Sequence, residues 1–517
     1  MKEKVQCTWI GLTVLSMTIL LFTPDVWALT GFARKYQTTC ITCHESPPRL
    51  NKDGEAFRLN GYRFTDDETK IKVEPLELGD EAYKRLWPDA IWPGTTPKFP
   101  PISLITVWIA EYHADPGVDL ITGEDLPSVS FIMPHEIEVA LADNLGEHFS
   151  YYGDARFIQE DYGTTDITSW VMLKGWLMFN DLFGLENKLN LQIGSVGMHT
   201  IGLFNARDEQ GLPFQGYLMN SMSMPGLNLD FLDNYSEDLS LRLFDGNSFV
   251  IQPQTGIEFN GFTRHLLYYG GIINGNIKNP NGSEPEDDVF FMGAGLNTDY
   301  KDYYGGLAIK IGGLGFDAST GLDEEEDLSE DINEQGLKPD AEFWRDDSFI
   351  LSFFGYTGTG KLTVETWNDI RDRTRMSAYT SDYFYDDFWR FGVGAIQRYK
   401  DFALSGGIMW GENDNPYGPI ASNSVETASW FVESHYFVFP WLVPYVRYES
   451  LDYKNLPGAD EGVALDGQED RSILTVGCKF QIRPNILLNL EGYHYTEDDG
   501  YDYPLDDSLF LVLTAGF

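Results

Sequence analysis

The longest part of the chain, from Ile102 to the C-terminus, alternates apolar and polar residues with a period of two. The alternation comes in segments of about ten residues that turn residues separate. A period of two sends successive side chains to opposite faces of a β-strand, so each segment predicts a strand with one apolar face. About eighteen strands are predicted, near 102–113, 131–142, 148–159, 168–179, 188–198, 250–260, 265–276, 289–298, 303–312, 348–356, 361–369, 388–398, 402–411, 428–439, 441–451, 471–481, 485–496 and 508–517.

The C-terminal segment shows this alternation most clearly. Leu509, Leu511 and Leu513 fall in one phase, and the chain ends on Phe517 in the same phase. A terminal aromatic residue that closes an amphipathic strand resembles the assembly signal of bacterial outer-membrane barrels. Aromatic residues make up 15% of the chain, which is typical of barrels with aromatic girdles at both membrane interfaces. The sequence therefore predicts an all-β fold, an outer-membrane antiparallel β-barrel of about 16–18 strands in contact with lipid.

Short and long connections alternate between the predicted strands, as they do between the periplasmic turns and extracellular loops of such barrels. The predicted short turns are 144–146, 299–302, 357–360, 399–401 and 483–485, and the long loops include 199–249, 313–347, 411–427 and 452–470. Acidic runs lie in long loops, among them 284–288 and 323–327. The residues expected at the short turns are basic: Lys188, Arg264, Lys301, Lys361, Lys400 and Arg483. We therefore expect a strongly negative outer rim. A β-propeller or sandwich would share the period of two, but would not explain both the loop asymmetry and the terminal phenylalanine.

The chain before the barrel divides into three parts. Residues 1–28 read as a secretory signal, with Lys2 and Lys4 ahead of an apolar stretch and a small-residue cleavage site near Ala28. Residues 29–75 form a small segment, and residues 76–101 form a linker rich in proline and glycine. The barrel then occupies residues 102–517.

The small segment carries the pentad Cys-Ile-Thr-Cys-His over residues 40–44. Two cysteines at this spacing with a following histidine are the attachment signature of a c-type haem. Cys40 and Cys43 would form the covalent bonds to one haem c, and His44 would be an axial ligand of the haem iron. A zinc site is the alternative interpretation, but zinc would need a fourth ligand, and adjacent Cys43 and His44 would bind one ion awkwardly.

The haem segment lacks parts that a self-contained cytochrome would have. Residues 45–112 contain no histidine and no methionine that could be a second axial ligand. A segment of this length is also too short to enclose haem in a core of its own. We therefore expect it to plug the barrel lumen or to lie on its periplasmic side, with the sixth iron position open or filled from the wall. The wall candidates are His435, His113 and Met133.

The net charge of −44 argues against nucleic acid as a partner, because binding phosphates requires lysine and arginine. Such acidity is compatible with cationic substrates or with divalent metal ions. It is equally compatible with a solvated surface that resists aggregation. We find no catalytic triad, phosphate-binding loop or pair of catalytic carboxylates in the sequence.

Around the pentad the sequence resembles the fused outer-membrane monohaem cytochrome–porins of iron-oxidising bacteria. The resemblance covers about 35 residues and rests on the pentad together with Phe32, Ala33, Arg34, Pro48, Leu50, Gly54, Phe57, Gly61 and Tyr62. Beyond these residues the agreement is architectural: a signal, one haem, a linker, a barrel and a terminal phenylalanine. Only Cys40, Cys43 and His44 are carried over as site residues.

This resemblance implies an outer-membrane electron conduit that works as an Fe(II)-oxidising cytochrome. It would take electrons from extracellular Fe(II), or from another donor, and pass them through a single haem to a periplasmic c-type cytochrome. One alternative is electron flow in the outward direction, to extracellular acceptors. Another is a diffusion porin in which the haem-bearing segment is a plug or a sensor.

Overall fold

The structure is a computed structural model. It describes residues 30–47, 49–64, 76–77, 85, 95–96, 101–114, 128–145, 148–160, 168–196, 226–228, 254–274, 289–291, 301–319, 342–363, 383–416, 424–456, 464–466, 470–499 and 507–516. The predicted signal, most of the predicted linker, the acidic runs 284–288 and 323–327, and Phe517 lie outside the described residues. None of the helices among the described residues has the length and apolar character needed to cross a membrane.

Residues 30–64, which we call the N-terminal segment, contain two short helices and a short hairpin. Their order is α1 (Thr30–Tyr36), a 3₁₀ turn (Cys40–Thr42), β1 (His44–Ser46), β2 (Arg49–Leu50) and α2 (Lys52–Leu59). The strands β1 and β2 pair with each other. In the predicted linker, β3 (Leu76–Glu77) pairs with β4 (Thr95–Thr96).

The remaining strands belong to the barrel or to its loops. In chain order they are β5 (Ile102–His113), β6 (Val129–Asn144), β7 (Phe149–Glu160), β8 (Thr168–Phe179), β9 (Asn190–Val196), β10 (Gly226–Asn228), β11 (Gln254–Phe262), β12 (Leu266–Ile273), β13 (Val289–Phe291), β14 (Asp302–Gly312), β15 (Ser348–Thr363), β16 (Tyr383–Tyr399), β17 (Phe402–Asn413), β18 (Val425–Tyr436), β19 (Leu442–Lys454), β20 (Ala464–Asp466), β21 (Asp470–Arg483), β22 (Ile486–Asp499) and β23 (Ser508–Gly516). Between β8 and β9 lies a second 3₁₀ turn, Leu182–Gly184.

Sixteen of these strands form a closed antiparallel ring. The ring closes where β23 pairs with β5, and β12 pairs directly with β14. The short strand β13 pairs in parallel with β8 instead of joining the ring, and β10 pairs with β20 between two loops. The predicted antiparallel barrel is therefore confirmed, at the lower end of the predicted strand number.

Two predicted strands are lost from the count of about eighteen. Of the strand predicted near 289–298 the structure describes the three-residue β13, which pairs with β8 and not within the ring. The strands near 348–356 and 361–369 are the single strand β15, so the predicted turn at 357–360 was wrong. Gly358 is used for close packing, since a Cβ at this position would collide with the carboxylate of Asp302. That carboxylate accepts a hydrogen bond from the Tyr356 hydroxyl at 2.6 Å.

The exposure pattern confirms which face of each strand points outward. In β18, Glu433 and His435 are buried, whereas Val432 is 46% exposed and Tyr436 is 49% exposed. The same alternation recurs in other strands, where exposed large apolar residues include Trp108, Phe131, Phe259, Ile311, Trp389, Trp410, Val476 and Leu511. A closed barrel with an apolar outer face and buried polar residues inside fits a lipid bilayer.

The two rims of the barrel differ in their connections. We call the rim that carries 145–148, 263–265, 400–401 and 484–485 the turn end, and the opposite rim the loop end. The connection 313–347 starts and finishes at the turn end, because Phe316 N donates to the Arg264 carbonyl and Trp344 Nε1 donates to Asp401.

Three features are therefore on the opposite rim from the one predicted. The extracellular assignment of 313–347 was wrong. One barrel strand fewer than predicted precedes this connection, and in an antiparallel barrel that places every later connection on the opposite rim. Lys301 comes just before β14 and Lys361 lies near the end of β15, so both belong to the loop end.

Candidate functional site

The N-terminal segment lies against the inner face of the barrel at its turn end. On the side formed by β5 to β8, Gly31 N donates to the Ser103 hydroxyl at 3.2 Å, and Lys35 Nζ lies 3.1 Å from an Asp143 carboxylate oxygen. The Tyr62 ring stacks on Trp176 of β8, with ring centroids 5.7 Å apart. These contacts attach both ends of the segment to the same side of the wall.

The segment also reaches the opposite side of the ring. Contacts there involve β14, β16, β18 and β21, through Lys310, Arg398, Glu433 and Lys479 respectively. Because β5 and β16 lie on opposite sides of the sixteen-strand ring, the segment spans the lumen.

The pentad forms a tight turn within the N-terminal segment. Cys43 N donates to the Cys40 carbonyl at 3.1 Å, closing the 3₁₀ turn. Side chains three residues apart in such a turn lie above one another, so the two cysteines fall on the same side of it. Both cysteines are outside any disulfide and half-buried, and His44 follows as the half-buried first residue of β1.

Asn51 and Gly54 hold this turn in place. The amide group of Asn51 donates to the carbonyls of Ile41 and Thr42, and its oxygen accepts from Gly54 N at 2.9 Å, which caps α2. A Cβ on Gly54 would collide with the Cys43 carbonyl, so only glycine lets α2 approach this closely. The sequence analysis missed Asn51, although its place just before a helix is a recognisable capping signal.

These residues fit a covalently held haem. The two thiols on one side of a turn could each form a thioether bond, and the neighbouring imidazole could ligate the iron. Burial raises the pKa of the Cys43 thiol, and the nearby Asp53 and Cys40 raise it further. The thiol is therefore protonated at neutral pH in this structure. Among the described residues, no group of three or more His, Cys, Asp and Glu side chains is arranged to hold a free metal ion.

An aromatic cluster forms the core of the N-terminal segment. The Phe57 ring lies 5.0 Å from Phe32 and 4.6 Å from Phe64, measured between centroids. Tyr36 packs edge-on against both Phe57 and Phe64. Leu59 packs instead in the apolar cluster of the barrel wall. The segment has a small core of its own and completes its packing on the wall, as its length predicts.

A continuous chain of alternating charges joins the segment to the wall. It runs from Asp346 through Lys310, Glu55, Arg398, Glu45, Arg49, Glu433 and Arg447 to Glu449. The nitrogen–oxygen distances along the chain lie between 2.6 and 3.9 Å, and no side chain is more than 4% exposed. We call this set the buried charge chain. Three of its members belong to the segment and the other six to the barrel.

Electrostatics shift the carboxyl groups of the chain in different directions. Burial alone would raise the pKa of Asp346, but Lys310 and Arg398 outweigh burial and hold the pKa of this carboxyl below its usual range. Burial raises the pKa of Glu45 and the carboxylates of Glu55 and Asp346 raise it further, which outweighs the lowering effect of Arg49 at 2.6 Å and Arg398 at 3.9 Å.

The three wall candidates for a second iron ligand have different positions. His435 is buried against the segment, with Nε2 at 3.6 Å from a Glu45 carboxylate oxygen. His113 ends β5 at the loop end, and Met133 is 51% exposed on the outer face, so neither faces the segment. Only His435 remains near the pentad, and its closest charged partner there is Glu45.

No protein-family model and no curated protein matches the chain. Among solved structures, OmpT of Vibrio cholerae in its trimer form aligns with 80% of this chain and 98% of its own, at 10% identity and a TM-score of 0.40. OmpF of Salmonella typhi in complex with daunomycin aligns with 80% and 97%, at 12% identity and a TM-score of 0.38. A porin aligns with 80% and 99%, at 8% identity and a TM-score of 0.40. At these scores the likeness carries no argument, and the assignment as an outer-membrane-type barrel rests on the strand pairing and the outward apolar face.

Proposed function

We propose that this barrel is an outer-membrane electron conduit that carries one haem c on its N-terminal segment. The observation that supports this most is that Cys40, Cys43 and His44 belong to a segment whose side chains contact both sides of the inner face of a closed barrel. Haem would supply a one-electron Fe(III)/Fe(II) couple when bound. The donor would be extracellular Fe(II) or another surface reductant, and the acceptor a periplasmic c-type cytochrome.

In this function each part of the chain has a separate task. Cys40 and Cys43 would hold the haem and His44 would ligate its iron. The barrel excludes bulk lipid from the segment, and the contacts on opposite walls fix the segment across the lumen. Outer-sphere electron transfer needs no general acid or base, so positioning is the main work of the protein.

Mixing the purified protein with Fe(II) in a stopped-flow instrument tests the proposed donor. We expect the haem absorption bands to shift from their oxidised to their reduced positions, at a rate that rises with Fe(II) concentration. Ascorbate or dithionite serves as a control that shows whether the haem in the sample can be reduced. If these reductants reduce the haem and Fe(II) does not, at any pH where Fe(II) is a competent reductant, Fe(II) is not the donor.

A diffusion porin is the second candidate, and the barrel itself favours it. A closed ring of sixteen strands with buried polar residues inside is the architecture of solute channels. In that case the N-terminal segment would be a plug or sensor. Solute flux into liposomes without electron transfer would favour this candidate, whereas electron transfer without flux would favour the conduit.

A further inference from the structure

We propose that Arg398 of the barrel wall is a positioning residue for the turn that holds Cys43 and His44, and that it acts through Glu45 and Glu55. The inference rests on the proposed function, since it concerns how the wall holds the haem-binding turn. It assigns a role to a residue more than 350 positions away from the pentad, which lies at residues 40–44.

Arg398 contacts the segment at two separate points. Its Nη2 lies 2.9 Å from a Glu55 carboxylate oxygen in α2. Its Nε lies 3.9 Å from a Glu45 carboxylate oxygen in β1. The guanidinium suits this task because it is planar and presents donors in several directions, whereas an ammonium is a single point charge.

Both contacts fall next to residues that define the geometry of the turn. Glu45 directly follows His44, so holding its carboxylate restricts the backbone from which the imidazole projects. Glu55 directly follows Gly54, the residue whose missing side chain lets α2 pack on the Cys43 carbonyl. Through these two neighbours, the single wall side chain of Arg398 restrains the position of the haem-binding turn from both sides.

The environment of Arg398 makes its charge effective. The side chain is 4% exposed, so bulk water and salt screen it little. A positive charge held beside the turn disfavours the oxidised, more positive state of a nearby iron centre. Removing that charge would therefore lower the midpoint potential. Neutralising Glu55 would raise it, because a negative charge is removed from nearly the same place.

The matched control comes from the other end of the buried charge chain. Arg447 is equally buried and contacts Glu433 and Glu449 of the wall, at 3.9 and 3.0 Å. Both of these partners belong to the wall. Arg447→Gln therefore removes a buried positive charge of the lumen wall whose ion pairs are with Glu433 and Glu449 and not with Glu45 or Glu55.

The test is a redox titration of purified full-length protein, followed by the haem absorption bands. For Arg398→Gln we expect the Fe(III)/Fe(II) ratio at a fixed potential to rise about tenfold, which corresponds to about 59 mV for one electron. Glu55→Gln is expected to shift the ratio in the opposite direction. Arg447→Gln is expected to stay within about twofold of wild type. Arg398→Lys, which keeps the charge but not the planar set of donors, is expected to shift the ratio less than Arg398→Gln does.

Several outcomes would overturn the inference. One is an unchanged potential in both Arg398→Gln and Glu55→Gln, with covalent haem still attached. Another is an equal shift in Arg447→Gln, which would mean that any buried wall charge has this effect. If Arg398→Gln cannot be purified in a folded state, the sign of the shift in Glu55→Gln decides. A wild-type protein without covalent haem would instead contradict the proposed function itself, and the inference with it.

Discussion

Reversing the charge of Glu55 is expected to open the barrel to small solutes. The Glu55 carboxylate is 3% exposed and lies 2.9 Å from Arg398 and 3.8 Å from Lys310. In Glu55→Arg three cations would share this buried site, and breaking even one buried pair costs about 3–5 kcal/mol. This cost should detach the segment from this side of the wall. The barrel itself should stay intact, because its strands are held by their own pairing and do not depend on the segment.

Single-channel conductance in planar bilayers measures this opening. The wild-type barrel should conduct little, since the segment spans its turn end, and Glu55→Arg should show stable open levels. Glu55→Gln is the matched control and should stay closed, because its amide oxygen can still accept a hydrogen bond from Arg398. Heat-dependent mobility on a gel shows whether the Glu55→Arg barrel is folded. If it is folded and conducts as little as wild type, the proposal that the segment closes the barrel is contradicted.

Replacing both cysteines of the pentad is expected to abolish covalent haem while leaving the barrel intact. Cys40 and Cys43 lie on a turn of the N-terminal segment and take no part in the pairing of the sixteen barrel strands. In Cys40→Ala/Cys43→Ala no thiol is left in the segment to form a thioether bond. The measurement is haem staining after denaturing electrophoresis, together with the intact mass.

Cys478→Ala is the control for this experiment. Cys478 is a half-buried free thiol in β21, far along the chain from the pentad. This variant should retain one haem per chain, whereas the double variant should retain none. Covalent haem that persists in the double variant, or that disappears in Cys478→Ala, would contradict the assignment of the attachment residues.

The barrel could be predicted from the sequence because its signal is local. Inward and outward positions alternate along each strand, so Glu491 facing inward and Leu490 facing outward follow from their order alone. The strand number was harder to predict, because a glycine can mark either a turn between strands or a close contact inside one strand. Gly358 resembles a turn residue in sequence, but its role depends on Asp302, more than fifty residues away.

The buried charge chain could not be predicted in the same way. Each member is an ordinary polar residue on the inward phase of a strand or in the segment, and nothing local distinguishes Arg398 from other inward arginines. Its partners Glu45 and Glu55 become neighbours only when the segment enters the lumen. The segment's length, too short to enclose haem in a core of its own, did indicate that the wall must complete the site, but not which residues would do so.

The central claim, that electrons cross the membrane through this barrel, is tested most directly in sealed liposomes. Purified protein would be reconstituted around a trapped, membrane-impermeant electron acceptor, and an impermeant donor would be added outside. We predict reduction of the trapped acceptor by the wild-type protein, none with Cys40→Ala/Cys43→Ala, and no leakage of a similarly sized redox-inactive dye in either case. No reduction by haem-loaded wild type, or equal reduction by the double variant, would contradict the account.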